Sequence, residues 1–135
     1  MDKPNLKDMS LAEIEAFIVS LGKEKYRARQ IVKWLYQHGA TTFGEMSSLG
    51  GDFRAKLTGI ARIGQPEIAK IQTSQDGTRK ILFKLEDGLF VESVLIPGKN
   101  HWTLCVSTQA GCRMACSFCL TGKHGFRRNL LPSEI

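Results

Sequence analysis

The hydrophobic period of this chain changes once, at Pro66, and the change limits what the chain can fold into. Before Pro66 apolar residues recur at helical spacing; after it they alternate. Ser10-Leu11-Ala12-Glu13 reads as a capping box, in which the serine and the glutamate each satisfy an orphan N–H at a helix start. Leu11, Ile14, Phe17, Ile18 and Leu21 then form one apolar stripe, and Gly22 is the stop. A second helix is predicted over 25–38, burying Ile31, Val32, Leu35 and Trp34, with Gly39 after it. Thr42-Phe43-Gly44-Glu45 is a second box, and Asp52 is the expected cap of a last helix through Phe53, Leu57 and Ile60. The prediction is a small helical bundle with two or three aromatics in its core.

Beyond Pro66, residues 67–74, 78–86 and 89–96 read as strands joined by Asp76-Gly77 and Asp87-Gly88 turns. Mixed charged and apolar residues between Arg79 and Leu85 give one wet and one packed face, as in an antiparallel meander. Pro97-Gly98-Lys99-Asn100 is the expected boundary. A fourth strand over 103–108 then runs into a cysteine-rich loop, with a helix starting near Pro132-Ser133-Glu134. Strand, functional loop and helix are the opening unit of an α/β barrel. The predicted class is therefore α+β: a helical domain at 1–64, a β-meander at 65–97 and the start of a barrel at 98–135. One strand cannot close a barrel, so the barrel is expected to be incomplete within these 135 residues.

Cys112, Cys116 and Cys119 stand in a C-x3-C-x2-C pattern. Three such thiolates can ligate three irons of a [4Fe–4S] cluster, which usually has four cysteine ligands, leaving one iron open to an outside molecule. Cys105 permits a second reading, a structural zinc site with four thiolates, although only Cys116 and Cys119 have the usual C-x2-C knuckle spacing. Residues 1–20 are charged and amphipathic, unlike a signal peptide, so disulfides of an oxidising compartment are not expected and the expected location is cytoplasmic. No apolar run approaches the roughly 20 residues that span a bilayer. The excess of 19 Lys+Arg over 13 Asp+Glu favours polyanion partners. Lys123, His124, Arg127 and Arg128 after the cysteines are candidate phosphate contacts, as are Lys23, Lys25, Arg27, Arg29 and Lys33 on the N-terminal helices. His38, His101 and His124 read as structural or surface residues.

The stretch from Leu104 through Cys105-Val-Ser, the cysteine triplet and Gly125-Phe-Arg-Arg-Asn-Leu130 closely resembles the dual-specificity RNA adenine C2-methyltransferases of the radical SAM superfamily. Tyr26 to Tyr36, Ser74 to Thr78 and Val91 to Pro97 resemble the same family's upstream segments, in the same order. The resemblance implies methylation of C2 of an adenine in 23S ribosomal RNA near the peptidyl-transferase centre, and of the adenine 3′ of the anticodon in tRNA. It implies that Cys112, Cys116 and Cys119 hold a [4Fe–4S] cluster that, once reduced, cleaves S-adenosylmethionine (SAM) to a 5′-deoxyadenosyl radical. By the same resemblance Glu92 is the proton acceptor, and Cys105 forms a transient disulfide with a methyl-carrying cysteine that has no counterpart in this chain. Phe118 is placed near SAM. The implied partners are ribosomal RNA, tRNA and an electron donor such as flavodoxin or ferredoxin; a monomer without a membrane is expected.

The residues alone say less. A glutamate on an alternating strand is ordinarily a solvated residue, and a lone cysteine is often a small buried hydrophobe. Alternation does put Cys105 on the face of Thr103 and Ser107, opposite Leu104 and Val106. Three alternatives stand beside the first reading: an enzyme methylating C8 of the same ribosomal adenine, a non-catalytic RNA-binding module with zinc, and a fragment without turnover of its own.

Overall fold

The computed structural model describes residues 2–110 and 127–135. The chain forms two compact units, Met1–Gly64 and Gln65–Ile135.

The first unit contains α1 (Leu11–Ser20), α2 (Tyr26–Tyr36) and α3 (Gly51–Ile60), with short 3-10 turns at Leu6–Asp8 and Phe43–Glu45. The expected box opens α1: the Ser10 amide donates to the Glu13 carboxylate at 2.6 Å, and the Glu13 amide to Ser10 Oγ at 3.3 Å. The chain leaves α1 and α2 through Gly22 and Gly39, both at positive φ, where a Cβ would strain the turn. Ile14, Ile18, Ile31, Leu35, Phe43, Phe53 and Leu57 meet in one core. Asn5 closes it: its side-chain oxygen accepts from the Gly64 amide at 2.9 Å, while the Leu6 amide bonds the Arg62 carbonyl at 3.0 Å. A buried amide is tolerated because its oxygen is satisfied.

Three expectations in this unit are corrected. Leu11 is 41% exposed, since it opens α1 ahead of the turn that buries Ile14. Val32 and Trp34 are only partly buried; the Trp34 indole N–H donates to Ser48 Oγ at 2.8 Å, so the ring keeps a polar edge. Asp52 is not the cap of α3. Gly50 takes that place, and Asp52 lies in the first helical turn, where a carboxylate favours the helix dipole.

The second unit is built on β1 (Glu67–Thr73), β2 (Arg79–Lys84), β3 (Phe90–Pro97) and β4 (Trp102–Cys105), antiparallel in the order β1-β2-β3-β4. Both predicted turns are present, with φ of 87° at Gly77 and 85° at Gly88. Asp76 accepts from the Ser74 hydroxyl and, at 3.0 Å, from the Thr78 amide; Asp87 accepts from the Leu89 amide at 3.1 Å. These bonds hold both carboxyls below the usual range, led by Ser74 for Asp76 and by Arg128 for Asp87.

The fourth strand is shorter than expected. It pairs with β3, from Pro97–Trp102 to Val94–Cys105, and ends at Cys105 rather than 108. Pro97-Gly98-Lys99-Asn100 is thus in the hairpin between them, with the Gly98 amide bonded to the His101 carbonyl at 2.7 Å. Ladder bonding to β3 makes β4 the outer strand of the meander. A smaller ladder follows, β5 (Gln109–Ala110) against β6 (Arg128–Asn129), and Pro132–Glu134 forms a last 3-10 turn. The core of this unit joins Leu85, Val91, Ala110 and Leu130, with Phe83 and Leu89 packed on it. Among the described residues no helix is long and apolar enough to cross a membrane.

Candidate active face of the sheet

The register decides which side chains share a surface. Leu82 pairs with Glu92, Lys80 with Val94, and Val94 with Cys105. Paired residues in an antiparallel sheet project to the same side, as do residues two apart on one strand. Glu92, Val94, Lys80 and Cys105 therefore share one face. Cys105 lies one diagonal step from Glu92, a separation of about 7–8 Å between backbone positions.

Both groups are accessible. Glu92 is exposed, and its Oε1 lies 3.1 Å from Lys80 Nζ. The Ser107 hydroxyl donates to the Glu92 carbonyl at 2.7 Å, which fastens the chain beyond β4 to β3. Cys105 is a free, exposed thiol among the described residues. Within β4 alternation sets Thr103 and Cys105 on one face as expected, together with Glu92, Val94 and Ile96 of β3; Ser107 lies beyond the strand. A carboxylate and a thiol thus share one solvent-facing surface, a diagonal step apart.

Cys112, Cys116, Cys119, Phe118, Lys123 and His124 lie outside the described residues. The chain on either side of their segment is described. Gln109 pairs with Asn129 and Ala110 with Arg128; the Arg127 amide donates to the Ala110 carbonyl at 2.7 Å and the Leu130 amide to the Thr108 carbonyl at 2.9 Å. The residues that flank 111–126 on its two sides are thus held against each other.

Arg128, expected as a phosphate contact, is engaged within the fold instead. Its Nε lies 2.8 Å from Asp87 Oδ2, and its two terminal nitrogens each lie 2.8 Å from a Glu134 oxygen. Glu134 also accepts from the Leu131 amide at 2.7 Å. The Arg128 guanidinium holds the Glu134 carboxyl below the usual range, and the two carboxylates push Arg128 further up, so it is charged at every accessible pH. Arg127 stays exposed.

The basic residues of the first unit are also partly committed. Lys25 and Arg29 approach Glu15 at 3.2 and 3.9 Å, Arg27 approaches Glu24 at 3.4 Å, and Lys23 lies over the Phe53 ring. Sequence reading counted these charges but not their partners. It also missed Asp87 and Glu134, whose local signal was only a turn and a helix start.

Comparisons with known proteins bear on the family of the chain. The family model described as the ribosomal RNA large subunit methyltransferase N-terminal domain matches residues 4–63. Over 100% of its length the chain is 63% identical to a protein of Syntrophus aciditrophicus named dual-specificity RNA methyltransferase RlmN, covering 39% of that protein. A Geobacter sulfurreducens protein of the same name is 53% identical over 97% of the chain, which covers 36% of it. Among solved structures, a radical SAM methyltransferase from Sphaerobacter thermophilus superposes with a TM-score of 0.83 at 38% identity, over 94% of this chain and 38% of that one. The chain thus spans about two fifths of the length of these relatives.

Proposed function

We propose, for a chain that belongs to the dual-specificity RNA methyltransferase family and corresponds to its N-terminal portion, that it forms part of an enzyme methylating C2 of adenine in 23S ribosomal RNA and in tRNA. The observation that carries this is the 63% identity over the whole chain to a relative of that name, joined to the cysteine pattern. Relatives of this name favour the C2 reading over a C8-methylating enzyme and over a zinc-containing RNA-binding module.

The donor set suits an iron–sulfur cluster: three thiols, from Cys112, Cys116 and Cys119, on a segment whose two ends are held together by the β5–β6 ladder. When bound, the cluster and SAM supply the one-electron chemistry needed at a carbon too weakly nucleophilic for polar methyl transfer. This chain's own residues have simpler tasks. Glu92 accepts the proton that C2 must lose, within reach of a base lying on the exposed face. Lys80 orients that carboxylate, and Cys105 supplies a free thiol beside it. Phe118 is assigned to the neighbourhood of SAM, Arg127 to the RNA backbone, and a small redox protein of the flavodoxin or ferredoxin type to electron delivery.

A chimera tests the proposal. These 135 residues replace the matching part of the Syntrophus relative, and transfer of labelled methyl from SAM to an adenine-containing ribosomal RNA fragment and to tRNA is followed. Label at C2 with both RNAs supports the reading. A folded, iron-loaded chimera that methylates neither, or that labels C8, overturns it.

A further inference from the structure

We infer that Arg128 is a positioning residue for the cysteine segment: its guanidinium locks the strand that leaves this segment to the β2–β3 turn and to the following 3-10 turn. The inference rests on the cluster reading above.

The ladder that brings the ends of 111–126 together is only two residues long on each side. Two strands this short do not hold by themselves in water. They need support from elsewhere, and the structure supplies two kinds. On the apolar side Ala110 and Leu130 are buried against Leu85 and Val91. On the polar side Arg128 spends its donors on three elements: Asp87 in the β2–β3 turn, both oxygens of Glu134, and the Asn129 carbonyl at 3.1 Å.

Each acceptor has a second duty that fixes it. Asp87 receives the Leu89 amide with its other oxygen, and Glu134 receives the Leu131 amide at the start of the 3-10 turn. The clamp is therefore continuous from the turn at Gly88 to the last turn of the chain. Its geometry requires a planar fork with several donors at fixed angles, which arginine has and lysine lacks. Cys112 follows Ala110 by two residues in sequence, so fixing Ala110 opposite Arg128 fixes where the ligand segment begins. Partners that hydrogen-bond directly to metal ligands typically change metal affinity by about 10–100-fold when lost; Arg128 acts at one remove, through the backbone that leads to Cys112, so the low end of that range is expected.

The test uses the 135-residue chain reconstituted anaerobically with ferrous iron and sulfide, as wild type and as Arg128→Met, Arg128→Lys and the milder Glu134→Gln. Two readouts are taken: amide exchange at Arg127 and Leu130, and the rate of iron loss to a chelator. Arg128→Met is expected to lose protection at both amides and to release iron about tenfold faster, with exchange in β1–β3 unchanged. Arg128→Lys, which keeps the charge but not the fork, is expected not to rescue it. Glu134→Gln should fall between. Unchanged protection of Leu130 in Arg128→Met and Glu134→Gln overturns the inference, and so does wild-type iron retention in Arg128→Met. If the wild type binds zinc or no metal while the amides still lose protection in the variants, the clamp stands and the cluster reading is the part that fails.

Discussion

Val94 and Cys105 face each other across β3 and β4, and this one pairing puts the Cys105 thiol beside Glu92. The two residues are 13 positions apart in sequence, yet one diagonal step apart on the sheet. The strands that carry the carboxylate and the thiol are therefore held by backbone hydrogen bonds rather than by loop conformation, which suits the two groups to the shared substrate base proposed above.

On the three-thiolate cluster reading proposed above, Cys105 is not a metal ligand. Cys105→Ala is expected to retain iron and acid-labile sulfide at the wild-type ratio, whereas Cys112→Ala loses most of both. Metal loss in Cys105→Ala, or stoichiometric zinc in the wild type, would instead support a four-thiolate site.

The Lys80–Glu92 pair is exposed on both sides, at 43% and 48% of the side-chain surfaces. Lys80→Ala should change unfolding stability by no more than about 1 kcal/mol. In the chimera it should slow methylation without changing iron content, because the carboxylate loses its orientation. Glu92→Gln should slow it far more.

Leu57 is fully buried in the first unit, whereas Leu11 is substantially exposed. Leu57→Ala is expected to cost about 2–5 kcal/mol and Leu11→Ala clearly less. Ser10→Ala removes a helix cap at a cost of about 1 kcal/mol. Urea unfolding followed by Trp34 fluorescence in a Trp102→Phe background ranks the three.

Gly88 sits at φ 85° in the turn that presents Asp87. Gly88→Ala should cost about 1–2 kcal/mol in left-handed strain. It should also loosen the Leu130 amide, since the turn anchors the clamp, while Gly77→Ala should bring the strain alone. Amide exchange separates the two.

Acid should open the same clamp. The Glu134 and Asp87 carboxyls are both held below their usual range, chiefly by Arg128. A carboxyl whose folded pKa is lowered stabilises the fold fully above its unfolded value and loses that contribution as pH falls through the folded value. Arg128 stays charged throughout. The Leu130 amide chemical shift should therefore titrate below the usual carboxylate range in the wild type and be flat there in Arg128→Met.

The sequence by itself determined what depends on near neighbours. The Ser10–Glu13 box, the glycine stops, the two Asp-Gly turns and the three alternating strands all rest on residues no more than four apart, so spacing and residue type suffice. The alternation that sets Thr103 with Cys105 is of this kind as well. Only the tertiary structure decided which strand β4 pairs with, that Gly50 rather than Asp52 caps α3, and that Arg128 serves the fold rather than the solvent. Asp87 and Arg128 are 41 residues apart, and no periodicity encodes such a partner. An arginine in sequence carries a charge and a reach; the carboxylates that claim it are chosen by how the backbone folds back, which is a property of the packed sheet.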